Sequence, residues 1–127
     1  MPKKTPRQNL VDRMDILWSE IIKIKENYRD AFDDKYYEHS DCQSHHLFGK
    51  SFGVRWLIEN GCVLIFNNHV NIPPNSKASI ALSIKLNGKE ITEKLQFLSK
   101  QYRPYPLAEL QEIHQKLKKY RKDICIT

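Results

Sequence analysis

Apolar residues in the first part of the chain recur at steps of four and three: Leu10, Met14, Leu17, Ile21, Ile24, Tyr28 and Ala31. That rhythm keeps one face of a helix apolar and predicts a long helix from Asn9 to about Phe32. Val11, Trp18, Ile22 and Phe32 widen the stripe, as in a helix lying on a sheet. The same spacing also fits a coiled-coil seam joining two copies of the chain or the chain to a protein partner. Residues 1–8 are polar, hold Pro2 and Pro6, and are expected to fray.

From Ser51 to Phe97 the rhythm shortens toward two. FGVRWLI and CVLIFNNHV flank Asn60-Gly61, and ASIALSIKL and KEITEKLQF flank Asn87-Gly88. Asn-Gly between apolar runs signals a hairpin, because a type I′ turn needs positive φ at both central residues. The first hairpin places Phe52, Val54, Trp56, Ile58, Val63 and Ile65 on one face. Its other face, with Leu57, Leu64 and Phe66, is also apolar, so both sides need cover. Pro73 and Pro74 then break the ladder. In the second hairpin Glu93 falls on the core side, where burial would raise its pKa and make it a candidate acid or base. Ile91, Leu95, Leu98 and Tyr102 fit helical spacing as well, so the fourth strand competes with a helix.

Pro106 suits the first position of a last helix, whose stripe is Leu107, Leu110, Ile113, Leu117 and Tyr120. The terminal DICIT reads as a short edge strand. The predicted architecture is α+β in two layers, as one domain over residues 1–127: a long N-terminal helix, a four-stranded antiparallel sheet of two hairpins, and a C-terminal helix.

Length and composition agree with one globular domain. No apolar run reaches the roughly 20 residues of a membrane helix, and no membrane contact is expected. The first residues, MPKKTPRQN, are not followed by the apolar stretch of a secretory signal. Cys42, Cys62 and Cys125 are an odd, widely spaced set, which argues for a reducing compartment, the cytoplasm.

The net charge of +6 is unevenly placed: +3 over residues 1–25, −4 over 26–49, +3 over 50–99 and +4 over 100–127. A basic surplus favours phosphate-bearing partners. Lys116, Lys118, Lys119, Arg121 and Lys122 crowd the end of the last helix around Tyr120, with Lys100, Tyr102, Arg103 and Tyr105 just before it. Cations interleaved with aromatics suit a nucleic acid, DNA or RNA, the cations meeting phosphate and a ring stacking on a base. Lys3, Lys4 and Arg7 extend the patch if the fold gathers them. The plain alternative is a solvated helix end, since acids first and lysines last complement any helix dipole.

The segment from Asp33 to Lys50 is the richest in reactive side chains. His39, Cys42 and His45 have the three-residue gaps of half a zinc site, with Cys62 and His69 as distant completing ligands, but the set matches no paired-ligand pattern. Asp33, Asp34, Glu38, His39 and Asp41 could instead serve a metal-dependent nuclease. No glycine spacing marks a phosphate loop, no serine elbow and no CxxC is present, so no metal and no cofactor is assigned. Three functions therefore stand: a non-enzymatic nucleic-acid accessory protein, a protein-interaction module built on the N-terminal helix, and a small nuclease.

Overall fold

The computed structural model describes residues 3–124. Helix α1 (Pro6–Lys25) begins earlier than its apolar stripe suggests, because Thr5 and Gln8 form a reciprocal capping box and Pro6 takes the first turn. The segment expected to fray is thus helical from Pro6 onward. The helix also stops early. Asn27 and Tyr28 have φ of 54° and 57°, a left-handed turn that a continuing helix excludes. Leu10, Met14, Trp18, Ile21 and Ile22 are buried, so most of the stripe packs into the chain's own core.

Among the described residues the sheet has two strands. β1 (Cys42–His46) and β2 (Gly61–Ile65) pair antiparallel, with Cys42 opposite Ile65, Ser44 opposite Val63 and His46 opposite Gly61. β2 lies within a predicted strand, but its partner comes from the histidine-rich loop, and residues 52–56 form turns that lead into a single 3-10 turn at Ile58–Asn60. The four-stranded sheet is therefore corrected to two strands, within an α+β architecture. Asn60 explains the first substitution. Its amide is fully buried, accepts from the Phe48 N–H at 2.9 Å, and donates to the Gly49 and Val54 carbonyls at 3.1 Å each. It ties two loops together and forms no hairpin turn. Gly61 has φ −121°, and a Cβ there would lie 2.5 Å from Ile22 and 2.6 Å from Trp18, so this glycine permits close helix–strand approach.

The second predicted hairpin is a helix pair, α3 (Lys77–Asn87) and α4 (Lys89–Ser99). The Ser76 hydroxyl caps α3 by accepting from the Ser79 N–H, and Gly88 ends it at φ 86°. Asn-Gly is equally a helix stop, which is the signal used here. Ser79, Leu82 and Ser83 on α3, and Thr92 and Leu95 on α4, are buried at helical intervals. The Ser83 and Thr92 hydroxyls hydrogen-bond across the pair at 2.7 Å. Glu93 is exposed on α4, and its proposed core-facing role is withdrawn. A short helix α2 (Phe66–Asn71) follows β2, and α5 (Leu107–Ile124) closes the chain as predicted. Of the predicted edge strand, Asp123 and Ile124 belong to α5 and residues 125–127 lie outside the described segment.

Strand alternation builds two cores on opposite sides of the sheet. Cys42 and Val63 face α1 and α5, meeting Met14, Trp18, Ile21, Ile22, Leu110 and Leu117. Cys62 and Leu64 face α3 and α4, meeting Leu47, Phe48, Val54, Leu82 and Leu95. The arrangement is helix, sheet, helix: three layers where two were predicted. Among the described residues no helix is long and apolar enough to cross a membrane.

Candidate functional site

The 51–59 turn is held against α1 by one carboxylate. Asp15 receives a bidentate bond from Arg55 (2.9 and 2.6 Å) and a third from the Trp56 indole (2.9 Å). Burial works to raise its pKa, but the Arg55 guanidinium and the Trp56 N–H outweigh it and hold Asp15 below the usual carboxylate range. The Trp18 indole bonds the Leu57 carbonyl at 2.9 Å, fixing the other end of the turn.

Between this turn and α5 runs a cleft of about 530 Å³, largely apolar, lined by Phe52, Trp56, Tyr105, Ile113, Leu117 and Tyr120. Lys25, Glu59, Arg103, Glu109 and Lys116 supply its charges. Phe52 packs on Trp56 at 5.0 Å between centroids and edge-on to Tyr105 at 5.6 Å. The Arg103 guanidinium lies 4.0 Å over the Tyr105 ring and is held in plane by Glu109 (2.9 and 2.5 Å). Arg55 and Arg7 also approach the Phe52 ring, at 5.7 and 5.9 Å.

The cationic residues singled out by sequence divide into three groups. Arg103 and Lys116 line the cleft, from segments that the fold brings together. Lys118, Lys119 and Lys122 are exposed on α5 and, like Lys116, form no ion pair among the described residues; Lys100 is exposed at the end of α4. Arg121 instead bonds Glu20 of α1 (Nε to Oε1, 2.9 Å), tying the two helices. Phe52, Trp56 and Lys25 were not in the sequence-derived set. The alternation of aromatic and cation in FGVRW was the available signal, hidden by the hairpin reading.

The acids of the 33–41 loop do not converge. Asp33 accepts from the Tyr37 hydroxyl (2.5 Å), an interaction that pushes Tyr37 up to about 12. Asp34 pairs with Lys85 at 2.8 Å, and the exposed His39 stacks on Tyr28. Cys42 and Cys62 are buried and apart, Cys42 donating to the Tyr28 carbonyl. Among the described residues no three His, Cys, Asp or Glu side chains are placed to hold a metal ion.

A second cleft, about 300 Å³, joins His45, His46 and His69 with Lys50, Asp15 and Ser44. Ser79 Oγ gives its proton to the Leu47 carbonyl (2.7 Å), so it accepts from His45 Nε2–H (3.0 Å), which leaves a bare lone pair on the buried, unpartnered Nδ1. His46 stacks on Trp18, with Nε2 also buried and unpartnered. Burial pushes both imidazoles down to about 4, assisted by His69 at His45 and by Lys50 at His46. Neither is charged at neutral pH.

The fold and cleft define the class no further than a three-layer α+β domain with an aromatic, cation-rimmed groove. Comparison of the chain with protein-family models, curated proteins and solved structures finds no match.

Proposed function

We propose that this protein is a non-enzymatic nucleic-acid-binding accessory protein that contacts phosphate through α5 and the 100–105 segment. One observation carries the reading. Arg103 and Tyr105 line the same cleft as Lys116 and Tyr120, and Lys116 continues along α5 into Lys118, Lys119 and Lys122; none of these four lysines has an acidic partner among the described residues. Cations committed to internal ion pairs gain little from a phosphate; these four lysines are available to it. Arg121 and Arg103 both drop from the expected phosphate-binding set, because Glu20 and Glu109 hold them; of the cations in the 100–105 segment, Lys100 stays in the set. The aromatic lining fits a partner that also presents flat rings.

Replacing Lys116, Lys118, Lys119 and Lys122 by Gln tests the reading. Binding of labelled DNA and RNA is followed across a salt series. Wild type should weaken steeply with salt, and the variant should bind less tightly with a slope flatter by up to about 3–4 in log–log units, close to one for each phosphate no longer neutralised. Absence of binding by wild type at low salt, or equal slopes, rejects it.

A further inference from the structure

We infer that the cleft between α5 and the 51–59 turn receives an unpaired base, making single-stranded nucleic acid the ligand class; this rests on the phosphate-binding reading above. In a duplex the base faces are covered by their neighbours in the stack, and only edges and backbone are offered. An exposed lysine row alone would therefore hold a duplex at least as well as a single strand, since the duplex carries charge at higher density. This cleft adds what a lysine row lacks. It is concave, and its volume of about 530 Å³ lies within the roughly 300–1,000 Å³ of pockets that enclose small organic groups. Its lining brings together Phe52, Trp56, Tyr105 and Tyr120.

The Tyr105 platform is preorganised. Pro104 and Pro106 flank it, Phe52 packs nearly perpendicular to it, and the Arg103 guanidinium, held by Glu109, covers one face; a base entering the cleft stacks on that guanidinium plane or on the opposite ring face without ordering a loose side chain. Lys116 stands exposed on the same cleft, positioned for the phosphate of a nucleotide whose base has entered. Charge complementarity favours this occupant over an acidic helix or a second copy of the chain: α5 continues outward with Lys118, Lys119 and Lys122, as a polyanionic strand leaving the cleft requires. Glu59 opposes it. It is an exposed acid in the lining, and it provides a second test.

The experiment compares labelled single strands of about 15 nucleotides, within the usual site range, with a duplex of equal length at one low salt concentration. Wild type, Tyr105→Leu and Glu59→Gln are used as full chains, each checked by its melting temperature. The single strand should bind more tightly than the duplex. Tyr105→Leu should weaken single-strand binding on the order of tenfold, the effect of removing one base–aromatic stack, with duplex binding little changed. Glu59→Gln should tighten single-strand binding about twofold by removing one like charge. Duplex binding equal to or tighter than single-strand binding, or single-strand affinity unmoved in both variants, overturns the inference while leaving phosphate binding standing. No binding of any probe overturns both.

Discussion

Asp30 is the side chain on which the junction between the 26–38 turn and β2 depends. It is wholly buried, and its two oxygens accept four hydrogen bonds: Oδ1 from the Phe32 and Asp33 backbone N–H groups (2.7 and 2.9 Å), Oδ2 from the Ile65 N–H and the Asn68 amide (2.8 and 2.9 Å). Asp30→Ala leaves three backbone donors without this acceptor. Bonds to a charged group are worth about 1.5–3 kcal/mol each, and they share one carboxylate, so they do not add. A total loss of about 4 kcal/mol follows, near the top of the range for single substitutions. Asp30→Asn separates the two oxygens. The amide oxygen can retain Phe32 and Asp33, but the NH₂ group then faces the Ile65 N–H, a donor against a donor. Asn68 can turn its own amide to compensate, while a backbone N–H cannot. The expected cost is about 2 kcal/mol, intermediate between wild type and Ala. Urea unfolding followed by tryptophan fluorescence measures both, with m-values compared to confirm two-state behaviour. Asp30→Asn within about 0.5 kcal/mol of wild type, the range of an ordinary surface change, would refute the donor–donor argument.

The histidine cleft predicts a pH dependence. His45 and His46 titrate near 4 when folded, against about 6.5 unfolded, so the unfolded chain binds more protons between those values and stability falls as pH drops from 6.5 toward 4. Each contributes on the order of 3 kcal/mol over the full window, and urea midpoints taken at intervals of pH should lose part of this decline in His45→Gln. A flat profile between pH 6.5 and 4 contradicts the burial argument. Gly61→Ala and Gly88→Ala should each cost about 1–3 kcal/mol for different reasons, overpacking against Trp18 and Ile22 in the first and backbone strain at φ 86° in open space in the second. Trp18→Phe should relieve part of the Gly61→Ala cost and none of the Gly88→Ala cost, as a double-mutant cycle in thermal or urea unfolding will read.

The sequence by itself determined that the two long helices exist and most of what they bury, but not where α1 stops. Leu10, Met14, Trp18 and Ile21, like Leu110, Ile113 and Leu117, sit at intervals that only a helix brings to one side. It also located the basic end of α5 and the 100–105 aromatics, because charge and ring are properties of residues and not of their neighbours. What it did not determine was pairing. Asn60-Gly61 and Asn87-Gly88 carry the same local signal, yet one bridges loops as a buried amide and the other stops a helix, since a dipeptide encodes its φ preference and not the element it joins. Strand partners are chosen by long-range packing, and here Cys42–His46 pairs with Gly61–Ile65 because the alternation along β2 sends Val63 toward α1 and Leu64 toward α3 and α4. Tertiary structure alone decided which cations were committed, pairing Arg121 with Glu20 across the helices and Arg55 with Asp15 across the turn. It alone set Phe52 and Trp56 beside Tyr105, because a groove is a relation between segments distant in the chain, and no single segment contains it.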